Sequence, residues 1–182
     1  GDLTDGGTAT QYDQFISVFN NTENIPASVQ KIYMMGNHDN YPSGAQNTYL
    51  TKLGQPLDQY HVINGIPFIT VSQRAGSNSG DGLTSYPEAS INFLTQKMAE
   101  AATNYPGKPI FVFTHVAPLG TCYGARRGDY GANNGWGMPI LMPILKQYPQ
   151  AVVFSGHSHF PIGNPHSINQ NSLFTSINTG ST

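Results

Sequence analysis

The chain has 182 residues, the size of a single domain. It carries 8 Lys+Arg, 10 Asp+Glu and 6 His, for a formal net charge of −2, and only 10% of it is charged, against roughly 25% in an average soluble domain. This balance supplies no basic stripe for nucleic acid, no apolar run approaches the roughly 18 residues of a membrane helix, and a lone cysteine, Cys122, excludes an internal disulfide and a CxxC metal site.

With 38% hydrophobic and 11% aromatic residues the chain still has material for a core. In chain order, Tyr12, Phe15, Ile16 and Phe19 fall at i, i+3, i+4 and i+7 and predict an amphipathic helix over 9–20. The apolar run Ile32 to Met35 reads as a buried strand that stops at Gly36-Asn37-His38-Asp39. A short helix is expected over Ala45 to Leu53. Tyr60–Ile63 and Ile66–Val71 are β-rich runs joined by Asn64-Gly65, a two-residue hairpin signal. Residues 74–86 form a Gly/Ser/Asn loop. Pro87 suits the first turn of a helix whose stripe is Ile91, Leu94, Met98 and Ala101/Ala102. Ile110–Phe113 is a second buried strand and ends at Thr114-His115; 116–137 is a long Gly-rich loop. Met138 to Gln147 reads as a helix that Pro143 shortens or kinks. Ala151–Phe154 is a third buried strand, ending at Gly156-His157-Ser158-His159, and Leu173 to Ile177 alternates as a last one.

Asp2, Asp5, His38, Asp39, His115, His157 and His159 all lie in short Gly-rich clusters. Three strand-like runs each stop at Gly or Thr followed by Asn or His, and alternation of strands with helices predicts a largely parallel, buried sheet. Ligands bind such sheets beyond the carboxyl ends of the strands. Asp2, Asn37, His115, His157 and His159 could therefore converge. Their N and O donors suit Zn, Fe or Mn. A carboxylate such as Asp2 can bridge two cations, and ions about 3.5–4 Å apart clamp the attacking and leaving oxygens of a phosphoryl transfer.

Gly1-Asp2-Leu3-Thr4-Asp5, Gly36-Asn37-His38-Asp39, Thr114-His115 and Gly156-His157-Ser158-His159, in this order, resemble the calcineurin-like metallophosphoesterase superfamily. The resemblance spans residues 1 to about 160 and implies an α/β fold: a four-layer α-β-β-α sandwich in which the Tyr60–Val71 hairpin belongs to the second sheet. It implies two divalent or trivalent transition metal ions (Fe, Mn or Zn) and hydrolysis of a small phosphoester, monoester or diester. Asp2 looks like the bridging carboxylate, Asn37, His115 and His157 like ligands of the second metal, and His159 like a ligand of the first. A hydroxide held by the metals is then the nucleophile. His38 resembles the histidine that bonds the phosphate and protonates the leaving oxygen. Asp5 stands where the phosphatase branch orients that histidine, and Asp39 is a candidate for a similar role; a carboxylate on one imidazole nitrogen fixes the tautomer.

Two departures bear on this reading. The family opens with a strand ending in Asp-x-His; the chain begins at Gly1 without it, so a fragment of one domain, 1–182 and incomplete at both ends, is expected. A non-catalytic binding or scaffold protein on the same fold is the alternative. Asp5 also stands where purple acid phosphatases carry a tyrosine ligand, so a charge-transfer iron site is not expected. Arg126 and Arg127 read as solvated loop charges or as a phosphate clamp; Tyr123, Tyr130 and Trp136 as packing under the loop or as a wall for substrate. His61 and His166 read as ordinary surface histidines, Cys122 as a passive thiol, and Asn20-Asn21-Thr22 as a sequon of a kind common by chance. Little Lys and Glu with much Asn, Ser, Gly and Tyr points to an exported protein, extracellular or at the cell surface.

Overall fold

A computed structural model describes residues 1–20, 25–26, 28–74, 86–129 and 136–180. The loop at 75–85, Tyr130, the Asn21-Thr22 part of the sequon and the end at Thr182 lie outside them.

The helix α1 spans Ala9–Asn20, as the periodicity predicts, and α2 spans Ala45–Leu53, where a short helix is expected. Tyr12 of α1 and Tyr49 of α2 meet edge to face, ring centroids 6.3 Å apart, and with Met35 and Ala45 form one small core. The hairpin follows: β1, Gln59–Ile63, pairs antiparallel with β2, Ile66–Val71. Asn64 and Gly65 both take positive φ, 51° and 75°, which matches the right-handed twist of the two strands.

The helix α3, Glu88–Asn104, starts with Pro87 as the residue just before the first turn, in extended conformation. Proline costs nothing there because an N–H at that point has no partner within the helix. Then come β3, Ile110–Thr114, the single turn α4, Met142–Leu145, and β4, Ala151–Ser155. Pro143 confines the expected longer helix to a 3-10 turn, Pro139–Leu141, plus that one α turn. Two short strands close the chain, β5 at Ile168–Asn169 and β6 at Thr175–Asn178.

The strands form a six-stranded sheet in the order β1-β2-β3-β4-β6-β5. The inner strands β2, β3, β4 and β6 are parallel; β1 and β5 are antiparallel edges. The α/β class thus holds, with helices packed on the sheet. The hairpin, however, belongs to this same sheet, because β2 hydrogen-bonds directly to β3 from Phe68↔Phe111 to Val71↔Thr114.

Side chains alternate across the sheet. Ile69, Val71, Ile110, Val112, Ala151 and Val153 are buried on one face with Leu94, Met98 and Ala101 of α3 and Leu141, Ile144 and Leu145. The other face carries a row of half-buried rings, Phe68, Phe111, Phe113 and Phe154, with Phe113 and Phe154 stacked at 5.2 Å.

One expected strand is not a strand. Residues 31–36 lie outside the ladder, and side chains take their backbone groups. Gln55 binds Tyr33 N and Lys31 O at 3.0 and 2.8 Å, Gln59 and Tyr49 both donate to Tyr33 O at 2.8 Å, and Ser72 Oγ accepts from Met35 N at 2.9 Å. One backbone bond, Gln73 N to Met35 O at 3.1 Å, ties the segment to the end of β2.

Leu94 is fully buried between α3 and the sheet. Leu94→Ala should lower unfolding free energy by about 2–5 kcal/mol, read as a lower urea midpoint at unchanged slope; a change near zero would mean that α3 does not seal this core.

Candidate metal centre and active site

The register of β3 on β4 places Phe113 beside Phe154, so the two strands end side by side. Each then turns into a histidine loop. Gly156 N donates to His115 O at 3.0 Å and links the two turns. The 31–35 segment brings Asn37 to the same edge, and Gly1–Thr4 lies over the turn at 36–39. Contact there is close: a Cβ on Gly36 would collide with the Asp2 carboxylate, and one on Gly1 would sit 2.6 Å from the Gly36 Cα.

Asp39 locks these two segments. It is completely buried, and its oxygens accept from Leu3 N, Thr4 N, Thr4 Oγ1 and Gly36 N at 2.8–3.1 Å. The expected role of orienting the His38 ring therefore does not hold for Asp39: its acceptor capacity is taken by the loop. Asn40 Nδ2 adds bonds to Gly36 O and Gln73 O at 2.6 and 2.9 Å.

Four acceptor-bearing side chains meet at this edge. His115 Nε2 lies 3.0 Å from Asp2 Oδ2, 2.9 Å from Asn37 Oδ1 and 3.2 Å from His157 Nδ1. His157 Nδ1 is 3.0 Å from the same Asn37 Oδ1. The ligand atoms of Asp2, His115 and His157 all lie within 4.8 Å of one another. A neutral imidazole has one N–H. Protons on His115 Nε2 and His157 Nδ1 can hydrogen-bond the set to Asp2 and Asn37; with both nitrogens deprotonated, all four atoms present lone pairs to one place. A cation satisfies all four at once, and an O₂N₂ set suits Zn, Fe or Mn.

The electrostatics agree. Burial pushes the Asp2 carboxyl up, but the His115 ring and the His38 N–H outweigh it and hold its pKa below the ordinary 3.8. Burial holds His115 below its ordinary 6.5, against the pull of Asp2, and favours the neutral imidazole that a metal needs.

Three of the site residues have left-handed backbones: Asp2 at φ 54°, His157 at 65° and His159 at 55°. Non-glycine residues rarely adopt this conformation, which costs about 1–2 kcal/mol each. Ser158, between the two histidines, is anchored at 2.8 Å by Asn178 Nδ2 from the end of β6. His159 is exposed and stands apart from the four converging groups, on the wall of the same cleft of about 370 Å³ that Asp2, His115 and His157 line. Met34, Phe113 and Phe154 line its apolar side.

His38 reaches the set through its backbone, whose N–H donates to Asp2 Oδ1 at 3.0 Å. Its ring Nδ1 is 2.9 Å from the backbone carbonyl of Asp5 and 3.5 Å from Asp5 Oδ1. The carbonyl can only accept, so Nδ1 carries the proton, and the exposed Asp5 carboxylate is the weaker partner.

The family profile described as calcineurin-like phosphoesterase matches residues 1–161, the whole stretch that holds these four loops. The chain belongs to the calcineurin-like phosphoesterase family. No curated protein matches it. Membership makes it a metal-dependent phosphoester hydrolase by family, and the donor set described above fits a metal.

Within this phosphoesterase the long loop after β3 is closed at its base by Pro118 pairing with Met138. Arg126 is engaged: it pairs with Asp129 at 3.3 Å and lies over the Tyr123 ring at 4.7 Å. Arg127 is exposed. Tyr123 packs against Phe160 and stacks on His166, centroids 4.2 and 6.2 Å away. His61 bonds Gln59 and Gln30 on the hairpin, and Cys122 is buried, its thiol pushed up by burial.

Two supporting residues escaped sequence reasoning. Tyr86 is buried, and its hydroxyl accepts from the backbone N–H of His115 and Val116 at 3.1 and 3.3 Å. Asn178 holds Ser158, as described. Neither sits in a motif; each is visible only once the strand ends are assembled.

Tyr86→Phe strands two buried N–H groups next to a metal donor. It should cost about 1–3 kcal/mol of stability and weaken metal binding by about tenfold, measured by thermal denaturation and metal titration. Unchanged metal affinity would make Tyr86 a core residue only. In metal-free protein, His115 and Asp2 both bind protons more readily when unfolded. Stability should therefore be full above pH 6.5 and fall as pH drops, through His115 first and then below 3.8 through Asp2. A denaturation midpoint flat from pH 7 to 4 contradicts this.

Proposed function

We propose that this phosphoesterase hydrolyses phosphomonoesters or phosphodiesters at a dinuclear metal centre, with His38 as general acid. The observation that carries the reading is the convergence of Asp2 Oδ2, Asn37 Oδ1, His115 Nε2 and His157 Nδ1 at one place, with the His38 backbone N–H bonded to the Asp2 carboxylate. Those four residues would hold one ion, and Asp2 with His159 would contribute to a second. Bound metal ions supply charge neutralisation for the phosphoryl oxygens and lower the pKa of water.

The protein's own groups do the rest. The Asp5 carbonyl holds the Nδ1 proton of His38 and so fixes the ring's tautomer and its direction. Nε2 is then the atom that takes up a proton from solvent and passes it to the departing ester oxygen, which leaves as an alcohol. A positioned acid of this kind contributes about 10²–10⁴ in rate. The exposed Asp5 carboxylate lies 3.5 Å from the same ring nitrogen.

In metal-loaded protein, His38→Ala should lower kcat for p-nitrophenyl phosphate or its bis-ester by about a hundredfold or more. The loss should be smaller for esters with good leaving groups than for alkyl esters. A chelator should abolish turnover, and added Mn or Zn should restore it. Wild-type rates in His38→Ala overturn the general-acid role. Metal uptake without turnover of either ester overturns the hydrolase reading in favour of a binding protein on this fold.

A further inference from the structure

The χ2 torsion of a histidine is broad and roughly two-fold, so a fixed backbone does not by itself decide where a ring nitrogen points. His157 comes from a turn with a left-handed backbone, φ 65°, and two other rings meet its imidazole. The His115 ring stands 5.0 Å away at 76°, and the indole of Trp136, the chain's only tryptophan, stands 5.1 Å away at 64°. With these contacts His157 Nδ1 lies 3.0 Å from Asn37 Oδ1 and 3.2 Å from His115 Nε2.

Trp136 is itself braced by the long loop after β3. Its N–H donates to Gly124 O at 2.8 Å. Gly124 N and Arg126 N in turn donate to the buried Asp129 carboxylate at 2.7 and 2.9 Å. The next residue, Gly137, has no room for a side chain, since a Cβ there would sit 2.6 Å from Ala125 O and Leu119 Cα. The loop closes on the histidine turn: the gap bordered by Val116, Gly124, Trp136 and His157 measures about 10 Å³, room for no more than one water. Trp136 is nonetheless 43% exposed and lies outside the buried core, so its contribution is local.

Aromatic pairs favour particular inclinations, and a ring fixed by its backbone can impose one on a mobile partner. We propose that Trp136 is a positioning residue for the metal donor His157: the braced indole keeps the imidazole turned so that Nδ1 joins Asn37 Oδ1 and His115 Nε2, and so raises metal affinity without being a ligand. This rests on the metal-site part of the proposed function and is independent of turnover.

Zn²⁺ affinity, read by competition with a chromophoric chelator, should fall about tenfold in Trp136→Ala. It should stay within about threefold of wild type in Trp136→Phe, which keeps a ring at the contact. His157→Asn tolerates the left-handed backbone and keeps an oxygen donor, but leaves no imidazole for Trp136 to hold. In that background Trp136→Ala should cost less than about twofold, the limit for uncoupled sites. The denaturation midpoint of each metal-free variant checks the fold, and Trp136→Leu makes the same comparison should Trp136→Ala not fold. Wild-type affinity in Trp136→Ala, or the same tenfold loss in the His157→Asn background, overturns the inference and leaves the metal centre standing. Absence of metal uptake by the wild type overturns both. The expected affinity ratios without turnover of any ester would uphold the inference and overturn only the hydrolase reading.

Discussion

The structure is organised around one meeting of ligand-capable atoms. Asp2 Oδ2, Asn37 Oδ1 and His157 Nδ1 lie 2.9–3.2 Å from His115 Nε2. With both imidazole nitrogens deprotonated, the form that binds metal, all four atoms are acceptors for one cation. The arrangement makes physical sense as a cradle for a cation. Its neighbours reinforce it: burial keeps His115 neutral, and the His115 ring with the His38 N–H keeps Asp2 ionised.

The fold supplies this convergence by parallel pairing. The β3 and β4 strands lie in register and release His115 and His157 at adjacent ends, while α3 seals the opposite face of the sheet. Precision then comes from small devices outside the sheet. Asp39 ties the Gly1–Thr4 segment to the turn at Gly36 through four hydrogen bonds. Tyr86 grips the backbone at His115, and Asn178 grips the turn at Ser158. Against this support, Asp2, His157 and His159 hold left-handed backbones that an unsupported loop would relax.

Much of this was legible in the sequence where one local rule governs. Asn64-Gly65 needs two positive φ values, and α1 and α3 follow a 3.6-residue stripe; all formed where predicted. The clusters of Asp, Asn and His behind apolar runs were legible too, because three of the chain's seven aspartates and four of its six histidines fall in them. Misreadings arose where distant side chains decide. The 32–35 run has strand composition, yet Gln55, Gln59, Tyr49 and Ser72 take its backbone groups. The hairpin was placed in another sheet because its own pattern says nothing about which strand its second edge will meet. Asp39 looked like an outer-shell carboxylate because it follows His38 in sequence. Its side chain nonetheless turns to Thr4, 35 positions away. Tyr86 and Asn178 carry no local signal at all.

The central claim is that the four acceptors form a metal site, and calorimetric titration of the metal-free protein with Zn²⁺ or Mn²⁺ tests it directly. The account predicts at least one tight equivalent in the wild type. Outer-shell changes cost about 10–100-fold in metal affinity, so removing a donor, in His115→Ala or His157→Ala, should cost more than that while the apo fold survives. Absence of metal uptake, or uptake of equal affinity in both variants, would contradict it.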